Sequence, residues 1–100
     1  MTKRIQLQIH ARQARATELT DALLCYEPEL VFSTSLLRDY HIDTQALSAS
    51  EQVMGYQDTL FYMIVIEEAE LEPLLAFLRK TLTKAGLYYQ VVPIVQQGII

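Results

Sequence analysis

Residues 60–66 read LFYMIVI, a run without a polar side chain, set between Gln57 and Asp58 on one side and Glu67 and Glu68 on the other. No segment of the chain is long enough to span a bilayer, so this run describes a strand that needs cover on both faces. Such a strand belongs in the middle of a sheet. The rest of the chain has to be arranged around it.

The flanking patterns supply that arrangement. Ile5, Leu7 and Ile9 alternate with Gln6, Gln8 and His10, the period of a strand with one covered face. From about Ala14 to Tyr26 the residues Leu19, Ala22, Leu23 and Tyr26 recur at three and four, which marks one stripe of a helix that Pro28 stops. Leu30 to Leu37 mixes Val31 and Phe32 with Ser33, Thr34 and Ser35 and reads as a half-exposed strand nearer the sheet edge. After the central run, Leu71, Leu74, Leu75, Leu78 and Leu82 form a second amphipathic helix, with Glu70, Glu72 and Pro73 at its start and Gly86 expected as its cap. The closing LYYQVVPIV is a last strand that Pro93 ends or places at an edge.

Strand, helix, strand, strand, helix, strand with right-handed crossovers is the α+β ferredoxin-like βαββαβ order. It predicts a four-stranded antiparallel sheet with two helices on one face and the first and third strands central. At 100 residues the chain is the size of one such domain. Both helices cover the same face, so the other face exposes alternate residues of LFYMIVI. A soluble monomer rarely leaves such a patch to water, and self-association is expected, as a face-to-face dimer or a cyclic trimer.

Composition narrows the function. A hydrophobic fraction of 51% and a charged fraction of 20% belong to a folded chain, and a net charge of -4 gives no basic field for nucleic acid or anionic membrane. Arg12 and Arg15 bracket the start of the first helix, while Arg79, Lys80 and Lys84 close the second, where cations complement the helix dipole. The single cysteine, Cys25, excludes an internal disulfide and a CxxC metal clamp, and the alternating MTKRIQLQIH is not a signal peptide. A cytoplasmic protein is expected.

An enzyme needs a nucleophile with its base, a metal triad or a phosphate cradle, and none is present at a recognisable spacing, so no catalytic residue is assigned. Acylphosphatase chemistry lacks its asparagine, since the chain has none. An RNA-recognition module shares the element order but needs basic residues in its central strands, and LFYMIVI has none.

The longest interval without strand periodicity runs from about Arg38 to Gln57, and within it SASEQV carries a helix-capping pattern. His41, beside Asp39 and Asp43, is the candidate metal ligand, for zinc, nickel or copper; an isolated loop histidine is the plainer reading. Glu67, Glu68, Glu70 and Glu72 are read as helix-starting carboxylates rather than a cation site. The candidate ligand-binding residues are Glu51, Gln52, Gly55 and Gln57, polar groups beside a flexible glycine at the start of a strand, where they can converge on a pocket. The residues name no cofactor.

SASEQVMGYQ leading into LFYMIV, then LEPLLAFLRKTL and GLYYQVVPIVQQGII, resembles an uncharacterised bacterial family related to the PII signalling proteins. The most recognisable positions are Glu51, Gln52, Val53, Gly55 and Gln57, then Tyr89, Val91, Pro93, Val95, Gly98 and Ile100. The resemblance implies a regulatory homotrimer binding a small ligand or metal ion at subunit clefts. It makes 38–57, with Arg38, Asp39, Tyr40 and Asp43, a partner-recognition loop, and the connection from Lys84 to Leu87 a second cleft-lining loop. It also implies association with heavy-metal efflux systems and hence a membrane transporter as partner. The chain departs from nucleotide-binding PII proteins in TLTKAGLYYQ, which lacks their glycine-rich basic loop, so ATP binding is not carried over. The competing reading is a small oligomeric adaptor that binds protein without a small ligand.

Overall fold

The computed structural model describes residues 3–40, 48–83 and 86–100, apart from the side chains of Val53 and Met54. Strand β1 (Arg4–Arg12) leads directly into helix α1 (Gln13–Cys25). Strand β2 (Phe32–Tyr40), the short helix α2 (Ala49–Met54) and strand β3 (Tyr56–Glu67) follow. A 3-10 turn (Glu68–Glu70), helix α3 (Leu71–Thr81) and strand β4 (Tyr88–Pro93) complete the order. The sheet order is β2-β3-β1-β4 with every neighbouring pair antiparallel, so the two strands expected at the centre are there.

The alternation in β1 is the burial pattern: Ile5, Leu7, Ile9 and Ala11 are buried while Gln6, Gln8 and His10 lie on the opposite face. In β3 the inward set is Tyr62, Ile64 and Ile66, which with Leu19, Ala22 and Leu23 of α1 and Leu74, Leu75 and Leu78 of α3 forms one core. Full burial of a side chain of this size contributes about 1.5–3 kcal/mol, so this layer holds both helices to one face of the sheet. Tyr62 is buried although it ends in a hydroxyl, because that hydroxyl donates to the Ala16 carbonyl at 2.9 Å and pairs with Thr20 Oγ1 at 2.7 Å.

The interval expected as loop is shorter than the sequence suggested. Arg38, Asp39 and Tyr40 belong to β2, opposite Asp58, Gln57 and Tyr56 of β3, which begins four residues before the apolar run. The Tyr40 and Tyr56 rings pair at 5.5 Å and the Arg38 guanidinium sits 4.7 Å from the Tyr56 ring centre. These cross-strand contacts extend the hairpin where hydrophobic alternation has already ended. Asp43 and His41 lie outside the described residues.

The capping pattern in SASEQV is real: Ser48 Oγ accepts from the Glu51 amide at 3.3 Å and Glu51 Oε1 accepts from the Ser48 amide at 2.9 Å. Gly55 closes α2 at φ +80°, its N–H donating to the Glu51 carbonyl at 2.8 Å. Gly86 also has positive φ, yet α3 ends earlier, at Leu82, whose amide reaches the Leu78 carbonyl at 2.8 Å. The acidic run caps as expected: Glu70 accepts from the Glu67 amide at 3.3 Å, and Glu68 pairs with Lys3 at 3.4 Å. No described helix is long and apolar enough to cross a membrane.

Candidate functional site

The end of β1, the start of β3 and α2 meet at Arg12. It occupies the last position of β1 and the cap position of α1, with no side-chain cap on that helix. Its Nη2 lies 3.3 Å from Glu51 Oε1, the same oxygen that accepts the Ser48 amide. Gln57 turns its amide oxygen toward Arg12, the orientation its surrounding donors require, and accepts from Nη2 at 3.0 Å and from Nε. One guanidinium thus ties two of the four expected ligand residues together, using its planar fork on a carboxylate and an amide.

Charge and burial sharpen this arrangement. Gln57 is 8% exposed although polar, so the Arg12 bonds satisfy a group that burial would otherwise penalise. The Glu51 carboxyl is held below the usual carboxylate range, chiefly by the Ser48 amide, helped by the Ser48 hydroxyl and the Arg12 charge and partly opposed by desolvation. Gly55 supplies the turn between them. Gln52 lies on the same short helix and is exposed.

Arg12 and Gln57 form the wall between two clefts. One, of about 610 Å³, lies at the amino end of α1 and is lined by Arg15, Ser48, Ser50 and Glu51 beyond that wall. Arg15 reaches Glu18 at 3.3 Å and carries the second positive charge there. The other cleft, of about 590 Å³, opens on the helix-free face and adds His10, Asp39, Thr59 and Tyr88. In it His10 Nδ1 is 3.5 Å from Asp39 Oδ2, and the imidazole is packed edge-on to Phe61 at 4.9 Å and Tyr88 at 5.7 Å. An imidazole oriented by a carboxylate on one nitrogen presents the other as a directed hydrogen-bonding group. Gly86 and Leu87, from the connection expected to line a cleft, border this second space, while Lys84 lies outside the described residues.

Arg12 and His10 were not among the expected ligand residues. Their convergence depends on strand register: β1 pairs with β3, and β3 in turn brings β2 alongside, so His10 and Asp39 meet across the intervening strand. Among the described residues, no group of three or more His, Cys, Asp and Glu side chains converges as a metal cage. The one expected metal ligand, His41, is outside them.

A four-stranded antiparallel sheet in the order β2-β3-β1-β4 with both long helices on one face is the ferredoxin-like fold, which solved PII-type structures share. Arabidopsis thaliana PII bound to citrate matches it with a TM-score of 0.64 at 14% identity, over 93% of this chain and 78% of that one. The Bacillus subtilis GlnK–ATP complex matches with a TM-score of 0.56 at 16% identity, over 94% and 84%. The chain belongs to the DUF3240 family, described as proteins of unknown function, whose model matches residues 1–100. A DUF3240 family protein from Shewanella baltica OS155 has the same fold, with a TM-score of 0.76 at 20% identity over 100% of this chain and 99% of that one. No curated protein matches the sequence significantly.

Proposed function

We propose that this protein is a non-catalytic, PII-like regulatory subunit of the cytoplasm that binds a small polar ligand at its Arg12–Gln57 clefts and signals to a partner protein. The observation that carries the reading is the Arg12 guanidinium, held between Glu51 and Gln57 and bordering both clefts. A ligand bearing a carboxylate or phosphate suits Arg12 and Arg15; a planar polar ligand suits His10 and Gln57. Binding at either cleft loads the α2 connection between β2 and β3, the stretch that the resemblance gives to partner recognition. The ligands bound in the two PII-type neighbours, citrate and ATP, make an organic polyanion the first class to try. A homotrimer and a transporter or heavy-metal efflux partner extend this reading from the resemblance alone.

A thermal-shift screen of metal-free protein against citrate, adenine nucleotides, bicarbonate and Zn, Cu, Ni and Co ions tests it. At ~100 times its dissociation constant a ligand adds ~2.7 kcal/mol, a rise of several degrees for a domain of this size. A selective rise that Arg12→Leu abolishes supports the reading; silence across the panel contradicts it. The adaptor reading is favoured by a different observation, the uncharged and exposed segment after β4, where Val95 is 98% exposed.

A further inference from the structure

The helix-bearing face of the sheet holds a further hollow, on the opposite side of β1 and β4 from the His10 cleft. Ile9 and Tyr89 are register partners on those two strands, so their side chains stand on one face, the face that α3 covers. α3 ends at Thr81 with Leu82 as its cap, and every residue of β4 is exposed, so the last turn of the helix does not close over the strand. The space between helix and strand is about 290 Å³.

This hollow is apolar except at its mouth. Its floor is Ile9, Leu75 and Leu78, which belong to the core, and the half-buried Leu82 and Leu87 form its sides. Among the described residues, Arg79 is the one charged side chain on the lining. It stands at the mouth, where its Nη2 donates to the Tyr89 hydroxyl at 3.5 Å. A phenol that accepts from a guanidinium keeps its own O–H to donate, and the guanidinium keeps its remaining N–H groups. No carboxylate pairs with Arg79 among the described residues. Arg79 and Lys80 both lie in the last turn of α3, so an anion arriving here meets two cations and not the bare negative end of the helix.

We infer that this hollow is a second binding site, for an aliphatic monocarboxylate of medium chain length, with the alkyl chain between α3 and β4 and the carboxylate on Arg79 and Tyr89. The volume sets the size: at the ~30 Å³ that a water occupies in the liquid it corresponds to about ten non-hydrogen atoms, as in octanoate. Contact with the leucines and Ile9 removes apolar surface of the chain from water, while the carboxylate stays at the mouth on a planar donor fork. A polyanion such as citrate would have to press charge against the leucines, which burial penalises. The ligand class therefore differs from the one proposed for the Arg12 clefts, and the two sites share no charged residue.

Titration calorimetry of the full chain with octanoate, 1-octanol and acetate tests the inference, with methyl NMR spectra to locate the ligand. Octanoate should bind saturably, one per subunit, and shift the methyl signals of Ile9, Leu78, Leu82 and Leu87. Octanol has the chain without the charge and acetate the charge without the chain, so each should bind at least about tenfold more weakly. Arg79→Met keeps an apolar stem at an exposed position; once circular dichroism shows it folded, it should weaken octanoate by about tenfold or more and leave octanol unchanged. Octanoate that does not saturate, that octanol or acetate matches, that binds Arg79→Met as tightly as wild type, or that shifts Met63 and Val65 of the helix-free face instead overturns the inference. A citrate and nucleotide screen that finds nothing leaves this titration unaffected, so the two readings fail separately.

Discussion

Arg12 Nη2 stands 3.3 Å from Glu51 Oε1, joining the last residue of the first strand to a helix that begins beyond the second. The same guanidinium satisfies the nearly buried Gln57 amide, so the clefts and the fold share one cation.

Replacement of Arg12 should therefore cost stability as well as binding. Arg12→Leu leaves the Gln57 oxygen without its donors and should destabilise by ~1–3 kcal/mol, the usual penalty for an unsatisfied buried polar group. Arg12→Lys keeps the charge but not the fork and should recover only part of the loss. Urea denaturation at neutral pH measures both.

Glu51 makes part of this stability depend on pH. Its folded carboxyl titrates below the unfolded value of about 4.3, so ionised Glu51 favours the folded state above that pH. The contribution disappears as the pH falls through the folded value. The melting temperatures of wild type and Glu51→Gln should differ at neutral pH and draw together as the pH falls from the unfolded value through the lower folded one. A constant gap across that range would show that Glu51 acts through packing alone.

Gly55 has φ +80° with nothing near the position a Cβ would take, so its requirement is conformational rather than spatial. Gly55→Ala should cost ~1–2 kcal/mol, the left-handed penalty of an L-residue, with the strain delivered to the turn between Glu51 and Gln57. Equilibrium unfolding checks the cost.

Tyr62 ties β3 to α1 through Ala16 and Thr20. Tyr62→Phe keeps the ring in the core and removes only the hydroxyl bonds, and it should lower stability by ~0.5–1.5 kcal/mol, several degrees in Tm. Adding Thr20→Val should cost less in Tyr62→Phe than in wild type, because the two hydroxyls share a bond.

The architecture was legible because it rests on periodicity. LFYMIVI and the Ile5–Ile9 alternation identify the two central strands, and the leucine spacing in residues 71–82 identifies the long helix facing them. The hairpin end was misjudged because Arg38, Asp39 and Tyr40 pair through an aromatic ring, a guanidinium and a polar partner, contacts that leave no hydrophobic period in the sequence. Glu51 and Gln57 were singled out as polar groups beside a glycine at the start of a strand, and the structure brings both to Arg12. Arg12 and His10 were missed because a register, not a motif, places them beside Gln57 and Asp39. The serine-to-glutamate capping pattern was readable at three-residue spacing, since its geometry is local.

Native mass spectrometry of the metal-free protein against the same ligand panel tests the central claim most directly, because it reads assembly mass and ligand number together. The account predicts a homo-oligomer that takes up one organic or inorganic ligand saturably, one per subunit, and loses it in Arg12→Leu with the assembly intact. A protein that binds nothing in the panel, or a ligand that Arg12→Leu retains unchanged, would contradict it.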